Sequence, residues 1–215
     1  MFQMLTGLKI LLLYLIKMFE FIDKVVYINL EHRTDRKEQI ELELHKYFPS
    51  EKIQRFNAIK HQHGGIGCTQ SHITVLEMAI QNNWSNYLVV EDDAMWSNFQ
   101  KGYPILEQLI QKSYDVITLG IAHASYTPEL KLLSGQTTTA YIVQQHYYAT
   151  LLENFKEGLQ AFLSTGHYGV YALDQYWKRL HQKDNWYCVI PSLMVQRPSY
   201  SDIERRHTNY INEFQ

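Results

Sequence analysis

Tyr87-Leu88-Val89-Val90-Glu91-Asp92-Asp93 joins a short apolar run directly to three carboxylates. Four consecutive apolar residues rich in β-formers read as a buried strand, and the charges that follow mark its exposed end. Working outward, the same alternation of strand and helix recurs. Val25-Val26-Tyr27-Ile28-Asn29-Leu30 reads as a strand. Thr34 then offers an N-cap to a helix carrying Ile40, Leu44 and Tyr47, which Pro49 stops. The Gly64-Gly65-Ile66-Gly67 turn leads into a predicted helix from about Thr69 to Asn82, with Ile73, Leu76 and Ile80 on one face. Beyond the carboxylates the pattern predicts a helix around Tyr103 to Ile110, strands at Val116 to Leu119 and Ala140 to Val143, and a helix from Tyr147 to Leu163. Such alternation implies an α/β fold with a mostly parallel central sheet flanked by helices. The stretch from Ala122 to Thr138, holding Pro128 and Gly135, reads as an exposed loop over the active site.

Composition narrows the classes. The 215 residues are 46% hydrophobic and 20% charged, as in ordinary globular proteins, so disordered and collagenous readings fall away. Twenty Lys and Arg against 22 Asp and Glu leave a net charge of −2, with no basic excess for a nucleic-acid backbone, so no nucleic-acid partner is expected. Cys68 and Cys188 form no repeated pair, which suits a reducing compartment and a cytoplasmic location. Leu5, Leu8, Leu12, Leu15 and Phe19 recur at helical spacing and predict an amphipathic helix over residues 1–22, ahead of one domain over 23–215. The run from Ile10 to Ile16 is too short to span a bilayer, and Phe19-Glu20-Phe21 stands where a signal peptidase needs small residues. The expectation is a helix packed on the domain; the alternative is peripheral contact with the inner face of a membrane.

The position of Glu91-Asp92-Asp93 matters more than its charge, because open α/β sheets place their ligand crevice at the carboxyl ends of strands. Strand alternation would turn Glu91 and Asp93 one way and Asp92 the other, giving two hard oxygen ligands for Mg²⁺ or Mn²⁺. The bland alternative is a solvated turn.

Three segments keep this order and spacing: Asn29-Leu30-Glu31-His32-Arg33-Thr34-Asp35-Arg36, then Gly64-Gly65-Ile66-Gly67-Cys68-Thr69-Gln70-Ser71-His72, then Val89-Val90-Glu91-Asp92-Asp93-Ala94. Together with Asp115-Val116-Ile117-Thr118-Leu119-Gly120, Ala140-Tyr141, Asp174-Gln175-Tyr176 and Gln196-Arg197-Pro198-Ser199-Tyr200-Ser201-Asp202-Ile203, they resemble glycosyltransferase family 25 over roughly Asp23 to His207. That family includes lipopolysaccharide and collagen galactosyltransferases. Gly65, Glu31 and Thr34 depart from its usual residues, Gly65 standing where an acidic residue is usual.

The resemblance implies a GT-A-type, Rossmann-like fold and an inverting, metal-assisted transfer of a sugar, galactose first among them, from a UDP-sugar to a glycan acceptor on a surface lipopolysaccharide or glycoprotein. Mn²⁺ or Mg²⁺ would be held by Glu91 and Asp93, with His207 closing the shell; a solvated tail histidine is the alternative there. Asn29, Leu30, Arg33, Arg36, Gly67, Ser71, His72 and Asp92 would bind the nucleotide sugar, the two arginines as guanidinium forks for the diphosphate or the base edge. Asp174 would be the general base, with a plain helix N-cap as its rival reading. Two further readings stand beside this one: a zinc module built on His61, His63, Cys68 and His72, and a non-catalytic glycan-binding relative.

Overall fold

The computed structural model describes residues 18–214. Its centre is a six-stranded sheet built from β1 (Lys24–Asn29), β2 (Ile53–Asn57), β3 (Asn86–Glu91), β5 (Val116–Tyr126), β6 (Leu132–Gln144) and β7 (Trp186–Cys188) in the order β2-β1-β3-β6-β5-β7. β1 runs parallel to β2 and β3, placing Val26 opposite both Gln54 and Val89, and β5 runs parallel to β7. Only β6 is reversed, antiparallel to both of its neighbours. A short pair, β4 (Ala94–Trp96) with β8 (Met194–Gln196), and a terminal hairpin, β9 (Ser199–Ser201) with β10 (Arg206–Thr208), lie outside this sheet.

The apolar run from Tyr87 to Val90 is buried on both faces because side chains alternate along a strand. Tyr87 and Val89 join the core beneath α2 (Gly64–Gln81) and α4 (Tyr148–Thr165), where Leu76 and Phe155 pack. Leu88 and Val90 join the opposite core, beneath α1 (Thr34–Leu44) and α3 (Phe99–Leu109), where Ile40 and Leu106 pack. All four are at most 1% exposed. Each fully buried aliphatic side chain contributes ~1.5–3 kcal/mol, so β3 is pinned from both sides.

Several expected boundaries move. α2 begins at Gly64, so the glycines are its first turn rather than a turn before it. Gly67 is required there, since a Cβ would collide with the Ile59 carbonyl oxygen. The stretch from Ala122 to Thr138 is not a loop: β5 and β6 run through it as a long antiparallel arm whose tip is a turn over 127–131, with register shifts along the way. Residues 18–21 form a turn instead of continuing a helix, and Phe19 and Ile22 are buried in the core beneath α3. The rest of the expected N-terminal helix lies outside the described residues. Among the described residues no helix is long and apolar enough to cross a membrane.

After α4 the chain folds into three one-turn helices, α5 (Tyr168–Tyr171), α6 (Leu173–Tyr176) and α7 (Lys178–His181). His181 is fully buried between Trp177 and Trp186, with ring centroids 5.6 and 4.6 Å away, and neither ring nitrogen has a hydrogen-bond partner. Burial, helped by the charge of Lys178, pulls its pKa from 6.5 down to about 3, so the imidazole is neutral.

Candidate active site

The carboxyl ends of β1 and β3 open on the same edge of the sheet, and the chemistry gathers there. Glu91 is the last residue of β3; Asp92 and Asp93 lie in the turn to β4, so strand alternation ends at Glu91. Glu91 Oε1 accepts from Thr138 Oγ1 at 2.5 Å and Oε2 from Gln196 Nε2 at 3.0 Å. Asp92 accepts from Asn29 Nδ2 and Arg36 Nη1, each at 2.8 Å. The same Nη1 lies 3.1 Å from Asp93 Oδ2, while Asp93 Oδ1 is buried and has no hydrogen-bond partner.

Crowding three carboxylates together, two of them on one guanidinium, sorts their proton affinities. Burial pushes Asp93 up to about 7, with Arg36 pulling against it and the charges of Glu91 and Asp92 adding to it. Burial likewise raises Asp92 despite Arg36. Burial also presses upward on Glu91, but the His72 imidazole and the Thr138 and Gln196 hydrogen bonds outweigh it and hold that carboxyl low.

Two cavities meet at this cluster. The first, about 420 Å³, has Leu30, Ile59, Ser71 and His72 in its walls and is rimmed by Arg36, Lys60 and Arg205. The second, about 380 Å³, is lined by Asp174, Thr137, Tyr168, Glu204 and Tyr210. Cys68, Glu91, Asp93, Gln196, Ser201 and Ile203 belong to both. Asp92 faces the first alone, so Glu91 and Asp93 do share an opening that Asp92 does not reach.

The predicted donor-binding residues divide by what they touch. Leu30, Arg36, Ser71, His72 and Asp92 line the first cavity. Ser71 is already satisfied, accepting from Ile59 N at 2.8 Å and donating to the Gly67 carbonyl at 2.7 Å, so its hydroxyl ties α2 to the segment after β2. His72 Nδ1 pairs with Tyr141 Oη at 2.7 Å; its Nε2 is buried without a partner, 3.9 Å from Glu91. Asn29 is buried behind Asp92 and holds it. The two arginines are not free forks. Arg36 donates to Asp92, Ser199 Oγ and the Tyr200 carbonyl, and Arg33 to Asp35, Asp202 and that same carbonyl. Together they fasten the β9–β10 hairpin over the site. Arg33 in turn holds the Asp35 carboxyl at about 2.

Asp174 is the second residue of α6, whose N-cap is Ala172, so it does not serve as the cap. Its Oδ2 accepts from Thr137 N on β6 at 3.1 Å, and burial raises its pKa. His207 lines neither cavity; it is exposed on β10 with its ring edge-on to Tyr200. The zinc set of the rival reading comes apart, for Cys68 and His72 converge with Glu91, their ligand atoms within 4.8 Å, whereas His63 packs on Phe162 and Tyr168. Lys60, Arg205, Gln196, Thr138 and Glu204 enter the site without having been singled out, although Gln196 opens the Gln-x-x-x-x-Ser-Asp-Ile motif. Gly65 sits against the ring of Tyr168, and a Cβ there would lie 2.7 Å from Cε2.

A family model for glycosyltransferase family 25, described as LPS biosynthesis protein, matches residues 62–170, just over half of the chain and the part that carries α2, β3 and the carboxylates. The chain belongs to glycosyltransferase family 25. Glycosyl transfer is accordingly its class of reaction. Its fold agrees. A glycosyltransferase involved in the glycosylation of the major capsid of PBCV-1 superposes with a TM-score of 0.53 at 13% identity, covering 85% of this family 25 chain and 95% of that one. A197 from STIV aligns with a TM-score of 0.46 at 12% identity, over 80% and 83% of the two chains. The architecture is of the GT-A type. No curated protein gives a significant match.

Proposed function

We propose that the protein is an inverting, metal-assisted galactosyltransferase that uses a UDP-sugar and acts on a glycan of a surface lipopolysaccharide or glycoprotein. The observation that carries this reading is the placement of Glu91 and Asp93 in the wall shared by two cavities, one rimmed by cations and the other containing Asp174. The anionic nucleotide diphosphate belongs with Arg36, Lys60 and Arg205, and the acceptor hydroxyl with Asp174. Galactose and the nature of the acceptor rest on the family resemblance.

The residues suit a hard divalent cation. Asp93 Oδ1 is a buried carboxylate oxygen with no partner, the kind of group that a cation would satisfy. Glu91 and Asp93 would hold it, and when bound it supplies charge stabilisation to the departing diphosphate. The chain's own groups do the rest. Asn29 and Arg36 fix Asp92, and Thr138 and Gln196 fix Glu91. The Thr137 amide orients Asp174, whose carboxylate takes the proton of the acceptor hydroxyl as that oxygen attacks C1 from the face opposite the diphosphate. The hairpin, tied down by Arg33 and Arg36, forms one wall of the donor side.

A panel of nucleotide sugars with Mn²⁺, followed as UDP release, tests the reading. UDP-galactose is expected to be turned over fastest. Release from no member of the panel overturns the transferase assignment, and a different preferred donor overturns galactose alone.

A further inference from the structure

The two cavities differ in charge more than in size, and the division is made by one turn. In Ser201-Asp202-Ile203-Glu204-Arg205, the turn of the terminal hairpin, Asp202 and Arg205 face the first cavity, Glu204 faces the second, and Ile203 stands in the wall between them. Ile203 rests on Gly64, where a Cβ would lie 3.0 Å from its side chain. Among the described residues no lysine or arginine lines the second cavity. Its charged groups are Glu91, Asp93, Asp174 and Glu204, with His123 paired to Glu213 at 3.2 Å. Two cations stand behind its lining and are already taken up by it: Arg206 donates to Glu204 at 2.6 Å, and Lys178 to Gln175 Oε1 at 2.7 Å.

Resting on the transferase reading above, we propose that the second cavity is an acceptor subsite selective by charge, taking a saccharide that is uncharged around its reacting hydroxyl, and that Glu204 is a specificity-determining residue against phosphorylated and carboxylated sugars. A cation at Glu91 and Asp93 is offset by the diphosphate of the donor, so Asp174 still faces the acceptor, with Glu204 on the other side holding Arg206. An anionic sugar would meet the Asp174 carboxylate on one side and would have to compete with Glu204 for Arg206 on the other, with no lysine or arginine in the lining to receive it. A neutral one finds a suitable lining: the rings of Tyr168 and Tyr210 as apolar platforms, the hydroxyls of Thr137 and Thr138, and the amides of Gln136 and Gln175, of which Gln175 Nε2 donates to Gln136 Oε1 at 3.0 Å and leaves the Gln136 amide nitrogen for a ligand.

The test uses the full chain and a glycan array printed in matched triplets: an oligosaccharide, the same with a 6-phosphate on its terminal sugar, and the same with that sugar as its uronic acid. Binding of fluorescently labelled protein in UDP and Mn²⁺ is read first, and sugar incorporation from the donor that releases UDP second. Neutral members are expected to exceed their anionic counterparts at least tenfold. Glu204→Lys should shrink that gap to threefold or less, and Glu204→Gln, which keeps the size of the side chain, should fall between. Anionic members equal to neutral ones, a gap unchanged in both variants, or an array on which no neutral glycan is bound would each overturn the proposal. Acceptor-free UDP release separates the two levels: its absence sinks the transferase reading, whereas its presence with an array indifferent to charge sinks the selectivity alone.

Discussion

The two walls that enclose the candidate donor cavity are built by opposite means. One is the end of β3, where Tyr87 to Val90 are at most 1% exposed and packed from both faces. The other is the β9–β10 hairpin, where Tyr200 and Ile203 are each 42% exposed and the fastening is polar, through Arg33 and Arg36. Burial fixes a side chain's position without regard to ionic conditions, as it does for Arg36; the pair that Arg33 makes with the more exposed Asp202 contributes only ~0–1 kcal/mol and weakens with salt. The carboxylates therefore stand on the part of the molecule that opens last, and the element that covers them on a part that opens early.

The sharpest way to break this comparison is at the rigid wall. Asp93→Ala should abolish transfer, losing at least ~10³-fold in kcat, because the proposed metal ligand is gone. Its melting temperature should hold, since β3 supplies the packing; near-normal turnover by the folded variant at saturating Mn²⁺ and donor would remove Asp93 from the site. Asp174→Asn should lower kcat by roughly 10²–10⁴-fold with UDP affinity little changed. Wild-type kcat there would send the search for the base to Asp92 and Asp202.

Arg36 belongs to both walls, and its loss measures how far they depend on each other. Arg36→Met leaves Asp92 and Asp93 buried without their cation, and unfolding by urea should show a loss of ~3–5 kcal/mol. A cost below about 1 kcal/mol would mean that the carboxylates do not need it. Acid tests the buried core behind the site. The neutral His181 takes up a proton on unfolding once the pH falls below about 6.5, but in the native state only near pH 3, so stability should be complete above 6.5 and decline across that window. The whole decline is on the order of a few kcal/mol, and His181→Phe should flatten that part of the stability–pH curve. The smallest effect belongs to the hairpin. Asp202→Asn removes the partner of Arg33 and should cost less than ~1 kcal/mol of global stability, while speeding tryptic cleavage after Arg205 and Arg206 several-fold. An unchanged cleavage rate would show that the hairpin is held by something other than this ion pair.

What the sequence discloses follows the same division. β1, β3, α1 and the body of α2 are legible because burial writes itself as apolar runs and periodicity: Val25 to Ile28, Tyr87 to Val90, Ile40 and Leu44, Ile73 and Leu76. β2 is a partly exposed edge strand, Ile-Gln-Arg-Phe-Asn, and leaves little pattern. The arm formed by β5 and β6 reads as a loop since Ser134, Gln136 and Thr137 are only partly buried and Gly135 packs its backbone on Ile121. In the site, the three carboxylates are visible from their place after a strand. The partners of Arg33 and Arg36 are not, because Ser199 and Asp202 lie 163 and 169 residues away and an ion pair across that separation leaves no periodic trace. Their forks read as donor ligands in the sequence; in the fold both also brace the hairpin, Arg36 from the wall of the first cavity.

Gly65 and Tyr168 constrain each other. The ring of Tyr168 occupies the space that a side chain at position 65 would enter, and both residues face the second cavity. Position 65 is where this sequence departs from the acidic residue that its resemblance to the family leads one to expect. With a side chain there the Tyr168 ring, 44% exposed, would have to swing outward, and the cavity would trade an aromatic wall for the group at 65. The width and chemistry of that wall are therefore set by the two positions together and by neither alone.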